Sequence, residues 1–117
     1  MRRNIHIALD LDKSLAYYES HWRAKKIGPP IQKMIDNVNK WLAKGYKITI
    51  FTARMSHIGE DLENQKRMIK SFLFLAGLPN LDMTCIKHQG FTHFIDDKAY
   101  HCVPNTGEIL NCPEELL

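Results

Sequence analysis

The chain has 117 residues, of which 44% are hydrophobic and 25% charged, and its formal net charge is +3. These values are typical of one globular domain with a single core, so we expect one domain over residues 1–117. The mild positive charge suits an anionic ligand, but no long Lys/Arg block indicates a general nucleic-acid-binding surface. No apolar run reaches the ~20 residues that a bilayer requires, so no membrane contact is expected. The start does not resemble a signal peptide, and three cysteines without CxxC spacing favour reduced thiols, which predicts a cytoplasmic protein.

The first predicted element is a short buried strand within the stretch Ile5 to Leu15. Asp10 and Asp12 stand where its apolar run ends. Residues two apart in a strand point the same way, so both carboxylates would face one site. Two such close carboxylates repel each other unless a cation lies between them. The stretch therefore indicates either a metal-dependent pair of catalytic acids or a strand that runs into an acidic turn, with Asp12 as a helix cap.

Helices and strands alternate in the following part of the chain. Apolar positions from Ile31 to Leu42 follow helical spacing, and Gly45 ends this predicted helix. A second β-rich run covers Lys47 to Ala53, and a second helix is predicted from Leu62 to Ala76. Short strands are predicted at Met83 to Ile86 and at His93 to Ile95, and a turn at Pro104 to Gly107 is predicted to join two strands as a hairpin.

This order of elements predicts an α/β fold. We expect a three-layer, Rossmann-like parallel sheet flanked by helices, with a small C-terminal hairpin. In such sheets ligands bind beyond the carboxyl ends of the strands. The polar residues that follow the predicted strands would therefore gather at one edge of the sheet: Asp10, Asp12, Thr52, Arg54, Lys87, Asp96 and Asp97.

The gathering of these residues at one edge predicts a metal site. Taken singly, each has an ordinary structural explanation, such as a solvated lysine or an aspartate that caps a turn. Together, four carboxylates beside a lysine and a hydroxyl are tolerable only with a divalent cation and an anionic ligand. Mg²⁺ fits such a set of oxygen ligands, so we predict that it is held by Asp10, Asp12, Asp96 and Asp97. Arg54 is predicted to meet a substrate phosphate or a neighbouring carboxylate.

Four segments carry a family resemblance. Asp10-Leu-Asp12-Lys-Ser14-Leu, then Thr52, then Lys87, then Ile-Asp96-Asp97 resemble, in order, the four motifs of the haloacid dehalogenase (HAD) superfamily. The resemblance extends from Ile5 to about Ala99 and is particularly close to small phosphatase-like members at Ile-Thr-Ile-Phe-Thr-Ala-Arg and Phe-Ile-Asp-Asp-Lys-Ala. It implies a HAD-like fold and a magnesium-dependent phosphomonoester hydrolase that works through an aspartyl-phosphate.

The resemblance also implies a role for each motif residue. Asp10 would be the nucleophile and Asp12 the general acid and then the general base. Thr52 and Lys87 would bind the phosphoryl group, together with the predicted phosphate ligand Arg54, and Asp96 or Asp97 would complete the magnesium site. A carboxylate nucleophile divides hydrolysis into two easier displacements, and proton transfer by a second acid contributes roughly 10²–10⁴-fold, so the chemistry is consistent with these roles.

The chain departs from the family pattern in three places. Lys13-Ser14 replaces the usual Gly-Thr after the second aspartate, and Lys87-His88 replaces the Lys-Pro found in many relatives. No segment is long enough for a cap domain, and the segment 16–30, which we call the flap, is expected to cover only part of the site. Its Tyr17, Tyr18, His21 and Trp22 are expected either to contact substrate or simply to pack.

Three other readings remain open at this stage. His88, His93, His101, Cys102 and Cys112 are close enough in sequence for zinc, but their spacing matches no standard zinc site, so ordinary packing is the better explanation. A signalling module that resembles response-regulator receivers, or a non-catalytic phosphate-binding domain, is the alternative to an enzyme.

The substrate of such an enzyme would be a small sugar phosphate or nucleotide, or a phosphorylated nucleic-acid end. Either a homo-oligomer or a large substrate would close the mouth of the site.

Overall fold

The computed structural model describes residues 4–117, so residues 1–3 of the predicted domain lie outside the described part of the chain. It is a compact α/β fold around one sheet of four parallel strands. The strands are β1 (His6–Leu9), β2 (Lys47–Phe51), β3 (Asp82–Thr84) and β4 (His93–Ile95), in the spatial order β3-β2-β1-β4. The predicted parallel α/β architecture is therefore confirmed.

Two helices connect the first three strands. Helix α1 (Gln32–Ala43) agrees with the predicted helix, and it ends just before Gly45, whose φ of 80° is in the left-handed region. Helix α2 (Gly59–Leu75) begins three residues before the predicted start at Leu62, because Glu60 and Asp61 in its first turn interact favourably with the helix dipole. Within residues 4–117, neither helix combines the length and the apolar composition needed to cross a membrane.

Both helices pack against the same face of the sheet. Successive strand residues point to opposite faces, and the register aligns Ile7 with Ile48 and Leu9 with Ile50 and Ile95. The side chains from β1 and β2 form one buried cluster with residues from both helices, and the partly buried Ile95 packs against it. The helix residues are Ile35 and Val38 of α1, and Ile69, Phe72 and Leu73 of α2. Burial of this face is the main source of stability, and it fixes the carboxyl ends of β1 and β2 side by side.

The opposite face of the sheet has no helix among the described residues, so the expected arrangement of helices on both faces is not found. The connection from β3 to β4 has only eight residues, 85–92, which is too short for a crossover helix. Instead, Phe91 packs against Phe51 and Phe94 with ring centroids 5.8 and 5.6 Å apart, and it stacks on His88 at 4.1 Å. An aromatic cluster takes the place of the third layer.

The C-terminal segment contains the predicted turn but not two strands. The turn at Pro104 to Gly107 is closed by one antiparallel bridge between Cys102 and Ile109. Val103 N–H donates to the carbonyl of Glu108 at 2.8 Å, and Leu110 N–H donates to the carbonyl of His101 at the same distance. A short 3-10 helix follows at Glu114–Leu116, and two others lie at Ser20–Trp22 and Ala53–Ser56.

Candidate functional site

Three carboxylates meet where the two neighbouring strands β1 and β4 end. Asp10 directly follows β1, and Asp96 and Asp97 directly follow β4. The backbone joins the two strand ends, because Asp10 N–H donates to the carbonyl of Ile95 at 2.9 Å. One carboxylate oxygen from each of Asp10, Asp96 and Asp97 lies within 4.8 Å of the others. Parallel pairing of β1 and β4 therefore brings together side chains that are 86 residues apart in sequence.

This crowding changes the protonation of the most buried of the three acids. Burial, a side-chain hydrogen bond with Asp97 and the charge of Asp96 raise the pKa of Asp10 to about 8, while a hydrogen bond from the Leu11 N–H opposes the shift. Without a compensating cation, Asp10 therefore holds a proton at neutral pH. A protonated carboxyl is a poor nucleophile and a poor metal ligand, so the three acids need a positive charge between them to ionise together.

The donor set fits a hard divalent cation. Asp10, Asp96 and Asp97 offer only oxygen ligands, and Asp96 and Asp97 are exposed, which leaves room for water in the remaining coordination positions. Mg²⁺ prefers this combination of a few carboxylates with water and a substrate phosphate. Asp12, the fourth predicted ligand, is not part of this cluster.

Asp12 is instead held by a buried arginine. Arg54 Nε and Nη2 donate to the two carboxylate oxygens of Asp12 at 2.8 and 2.9 Å, a bidentate ion pair. The Arg54 side chain is 2% exposed, and that of Asp12 is 22% exposed, so only Asp12 retains access to solvent. The pair fixes the plane of the Asp12 carboxylate at the wall of the site.

Of the two partners predicted for Arg54, a substrate phosphate or a neighbouring carboxylate, the structure shows the carboxylate, that of Asp12, and adds three further acceptors. Nη1 donates to the carbonyl of Ala24 at 3.0 Å and to Oε1 of Gln65 at 2.9 Å, and the second Nη2 hydrogen is donated to the carbonyl of Lys26 at 2.9 Å. With the two bonds to Asp12, all five guanidinium N–H groups are engaged within the protein. Arg54 therefore has no free donor for a phosphate in this structure.

Thr52 stands at the carboxyl end of β2, as predicted. It is 3% exposed, and its N–H donates to the carbonyl of Thr84 at 2.9 Å. Its Oγ1 accepts a hydrogen bond from the N–H of Arg54 at 3.2 Å and so caps the short 3-10 helix at Ala53–Ser56. The hydroxyl can still donate its own hydrogen into the cavity that it lines.

The structure does not bring Lys87 to the wall of this cavity. Strand β3 ends at Thr84, two residues before the predicted end, and the chain then turns across the aromatic face of the sheet. There the Lys87 Nζ lies 5.1 Å from the ring centroid of Phe94. The lysines that line the cavity are Lys13 and Lys98. The position of Lys98, directly after Asp97, is a sequence signal that could have identified it.

The site opens into a cavity of about 730 Å³ between the strand ends and the flap. Tyr18, Ser20 and Ala24 of the flap line it together with Asp10 and Thr52. Lys13 reaches the flap rather than the carboxylates, since its Nζ donates to Ser20 Oγ at 3.2 Å. Trp22 packs edge-on against Tyr17 and Tyr18 and has Lys26 Nζ 4.1 Å from its ring centroid. Of the four flap aromatics, Tyr18 alone lies on the cavity wall, and Trp22 takes part in packing.

The zinc arrangement considered for the histidines and cysteines is not assembled. Among residues 4–117, Asp10, Asp96 and Asp97 are the one group of at least three candidate ligands that lie close enough to hold a metal ion. Cys85, Cys102 and Cys112 are free thiols. Cys85 lines the cavity, which its sequence context does not indicate.

Comparison with known proteins identifies no relative: no protein-family model matches the chain, and no curated protein and no solved structure has significant similarity to it.

Proposed function

We propose that the protein is a magnesium-dependent phosphomonoester hydrolase of the HAD superfamily that acts through phosphorylation of Asp10. The observation that carries this proposal is the convergence of Asp10, Asp96 and Asp97 within 4.8 Å at one wall of a cavity, with Asp12 and Thr52 beside them. The three acids would hold Mg²⁺, which would neutralise the charge of the carboxylates and of the incoming phosphate.

The chain's own residues account for both displacements. A carboxylate oxygen of Asp10 attacks phosphorus, and the bond from phosphorus to the leaving alcohol oxygen breaks as Asp12, which first takes up a proton from solvent at its exposed edge, gives that proton to the leaving oxygen. Asp12 then takes a proton from water, whose oxygen attacks phosphorus and releases phosphate and the Asp10 carboxylate. The hydroxyl of Thr52 donates to an equatorial phosphate oxygen in both steps.

A turnover assay tests the proposal directly. We expect the purified protein to hydrolyse an aryl phosphate in the presence of Mg²⁺ and to lose activity on exhaustive chelation. Asp10→Asn removes the nucleophile and should abolish turnover, whereas Asp12→Asn should slow it by roughly 10²–10⁴-fold. Asp61→Asn, an exposed acid on α2, is the matched control and should have no effect. Full activity after chelation, or a near wild-type rate for Asp10→Asn, would rule the proposal out.

The same assay separates the enzyme from its two alternatives. A receiver-like module would accept phosphate from a donor without repeated turnover, and a non-catalytic binding domain would show neither reaction. The order of the acids favours an enzyme, because Asp12 follows the proposed nucleophile by two residues and can assist hydrolysis. A panel of sugar phosphates, nucleotides and phosphorylated oligonucleotides would identify the substrate class.

A comparison of lysine variants would identify which lysine binds the phosphoryl group. The family resemblance assigns this role to Lys87, whereas Lys98 and Lys13 line the cavity. We expect Lys98→Ala to raise KM about tenfold through loss of a phosphate contact, while Lys87→Ala changes KM little. The reverse result would return the role to Lys87 and would mean that the segment after β3 rearranges on substrate binding.

A further inference from the structure

The flap and the carboxylate of Asp12 are attached to the same buried side chain. Arg54 contributes two N–H groups to Asp12 and two to the flap carbonyls of Ala24 and Lys26. A buried charge is strongly destabilising unless it is paired, so the arginine requires Asp12, and its remaining donors require the flap carbonyls. Displacement of either partner would leave buried donors unsatisfied.

Gln65 of α2 completes this arrangement. Its Oε1 accepts from Arg54 Nη1 at 2.9 Å, and its Nε2 donates to the carbonyl of Ala24 at 3.0 Å. The carbonyl of Ala24 therefore accepts two hydrogen bonds, one from each side chain. Gln65 is 7% exposed, and these two hydrogen bonds satisfy both its side-chain oxygen and its side-chain nitrogen inside the protein.

The flap backbone has an unfavourable conformation where it makes these contacts. Arg23 and Ala24 have φ values of 51° and 61°, a left-handed conformation that costs a non-glycine residue roughly 1–2 kcal/mol. Tyr18 supports the same turn, because its hydroxyl accepts from the N–H of Ala24 at 2.9 Å and its ring centroid lies 5.6 Å from the Arg54 guanidinium carbon. Two consecutive strained residues at the point of contact indicate that the hydrogen bonds, and not local propensity, hold the flap in place.

We propose that Arg54 and Gln65 form a latch that couples the flap to Asp12, so that Arg54 is a positioning residue for the general acid. The coupling itself depends only on the contacts described above, whereas its catalytic consequence rests on the proposed phosphatase function. Because Tyr18, Ser20 and Ala24 line the cavity, a substrate that contacts the flap stabilises the orientation of Asp12 through the same arginine.

Hydrogen exchange of the flap amides tests the coupling without reference to activity. In the full-length protein, Arg54→Lys keeps the positive charge but loses the bidentate pair with Asp12. Gln65→Leu removes both hydrogen bonds of the Gln65 side-chain amide and keeps a side chain of similar size. We expect each variant, and also Asp12→Asn, to accelerate exchange in residues 16–30 about tenfold or more. Lys70→Ala, an exposed substitution on α2, is the control. Unchanged flap exchange in Arg54→Lys and Gln65→Leu would overturn the proposal even if the protein is an active phosphatase.

Leaving-group dependence tests the positioning role. An alkyl phosphate needs protonation of its leaving oxygen, whereas p-nitrophenyl phosphate hardly does. Because the second step is common to both esters, kcat/KM, which reports only the first step, is the quantity to compare. We expect Arg54→Lys to lower kcat/KM about tenfold more for the alkyl ester than for the aryl ester. Equal losses for both esters would mean that Arg54 is merely structural, and would overturn the positioning role. If the wild type shows no turnover, the proposed function fails, and the exchange experiment alone decides whether the coupling exists.

Discussion

At the scale of single residues, Lys13, directly after Asp12, has a backbone conformation that favours glycine. Lys13 has a φ of 70°, within the left-handed region, where its N–H donates to the carbonyl of Ala16 at 2.8 Å to close a tight turn. Glycine adopts this conformation without the steric penalty that a Cβ causes. Lys13 therefore closes this turn at the expense of local strain, and its Nζ donates to Ser20 Oγ of the flap instead of meeting the acids.

We predict that Lys13→Gly stabilises the protein. Relief of the left-handed strain outweighs the added flexibility of the unfolded chain, so the free energy of unfolding should rise by about 0.5–1 kcal/mol. Denaturant unfolding measures the change. Lys13→Ala, which removes the cation but keeps the Cβ, should bring no such gain. If the alanine variant is as stable as the glycine variant, the strain at this position is not what limits stability.

The raised pKa of Asp10 predicts a pH-dependent stability in the metal-free protein. The folded-state pKa of Asp10 is about 8, above the unfolded value of 3.8. Below about pH 4 Asp10 is protonated in both states and does not change the free energy of unfolding. As pH rises from about 4 to 8 the unfolded state loses this proton first, so the free energy of unfolding falls. Asp10→Asn removes this penalty. In the presence of chelator we expect the variant to gain about 1–2 kcal/mol on wild type between pH 5 and pH 8, since partial exposure of Asp10 screens much of the effect.

Two controls accompany this titration. Asp61→Asn should show no pH-dependent difference from wild type, because that acid lies outside the cluster. Excess Mg²⁺ should reduce the pH-dependent loss in wild type by compensating the carboxylate charges. A constant difference between Asp10→Asn and wild type across the pH range would contradict the prediction and would indicate that Asp10 ionises normally.

At the scale of elements, the flap is closed at its base by close backbone contacts. Tyr17 N–H donates to the carbonyl of Pro29 at 2.9 Å, and Ile31 N–H donates to the carbonyl of Leu15 at 2.8 Å. Gly28 directly precedes Pro29, and a Cβ on it would stand 2.1 Å from the carbonyl oxygen of Tyr17. The flap therefore depends on glycine at this position for close approach and not for an unusual φ.

We predict that Gly28→Ala opens the base of the flap. The Cβ meets backbone, which cannot move aside without loss of the closing hydrogen bonds, so the free energy of unfolding should fall by about 1–3 kcal/mol. Thermal unfolding and proteolysis within residues 16–30 would detect the change. Lys25→Ala, an exposed substitution in the same flap, is the control and should have little effect. Unchanged stability of Gly28→Ala would show that the flap base adjusts without strain.

At the scale of the whole molecule, one chain leaves the site open to solvent. The flap covers only one side of the cavity, and Asp96 and Asp97 remain exposed. If Asp10 is phosphorylated as proposed, control of water around it would require closure of the mouth of the cavity. A second subunit or a macromolecular substrate could supply it, and the alternative is a monomer with an open and unselective site.

We predict that the protein forms an oligomer or binds a phosphorylated polymer. Light scattering on purified protein, with and without a 5′-phosphorylated oligonucleotide, should show either a mass above that of the 13.6 kDa chain or a complex with the oligonucleotide. The unphosphorylated oligonucleotide is the control for charge alone. A strict monomer that hydrolyses small phosphates efficiently and ignores polymeric ones would contradict the prediction.

The sequence by itself determined the parallel α/β fold, the two helices and the acids at the strand ends. Strands and helices follow from the local spacing of apolar residues: Asp10 follows a short apolar run, and Asp96 and Asp97 follow a short segment that is also predicted as a strand. Tertiary structure decided that Arg54 meets the carboxylate of Asp12, one of the two partners that the sequence left open, and it alone decided the position of Lys87 and the single helical layer. Each of these depends on contacts between distant segments: Arg54 meets Asp12 across 42 residues, and the short 85–92 connection crosses the sheet face before its lysine can reach the site. The local sequence pattern does not predict such contacts between distant segments, because they form only when the core packs.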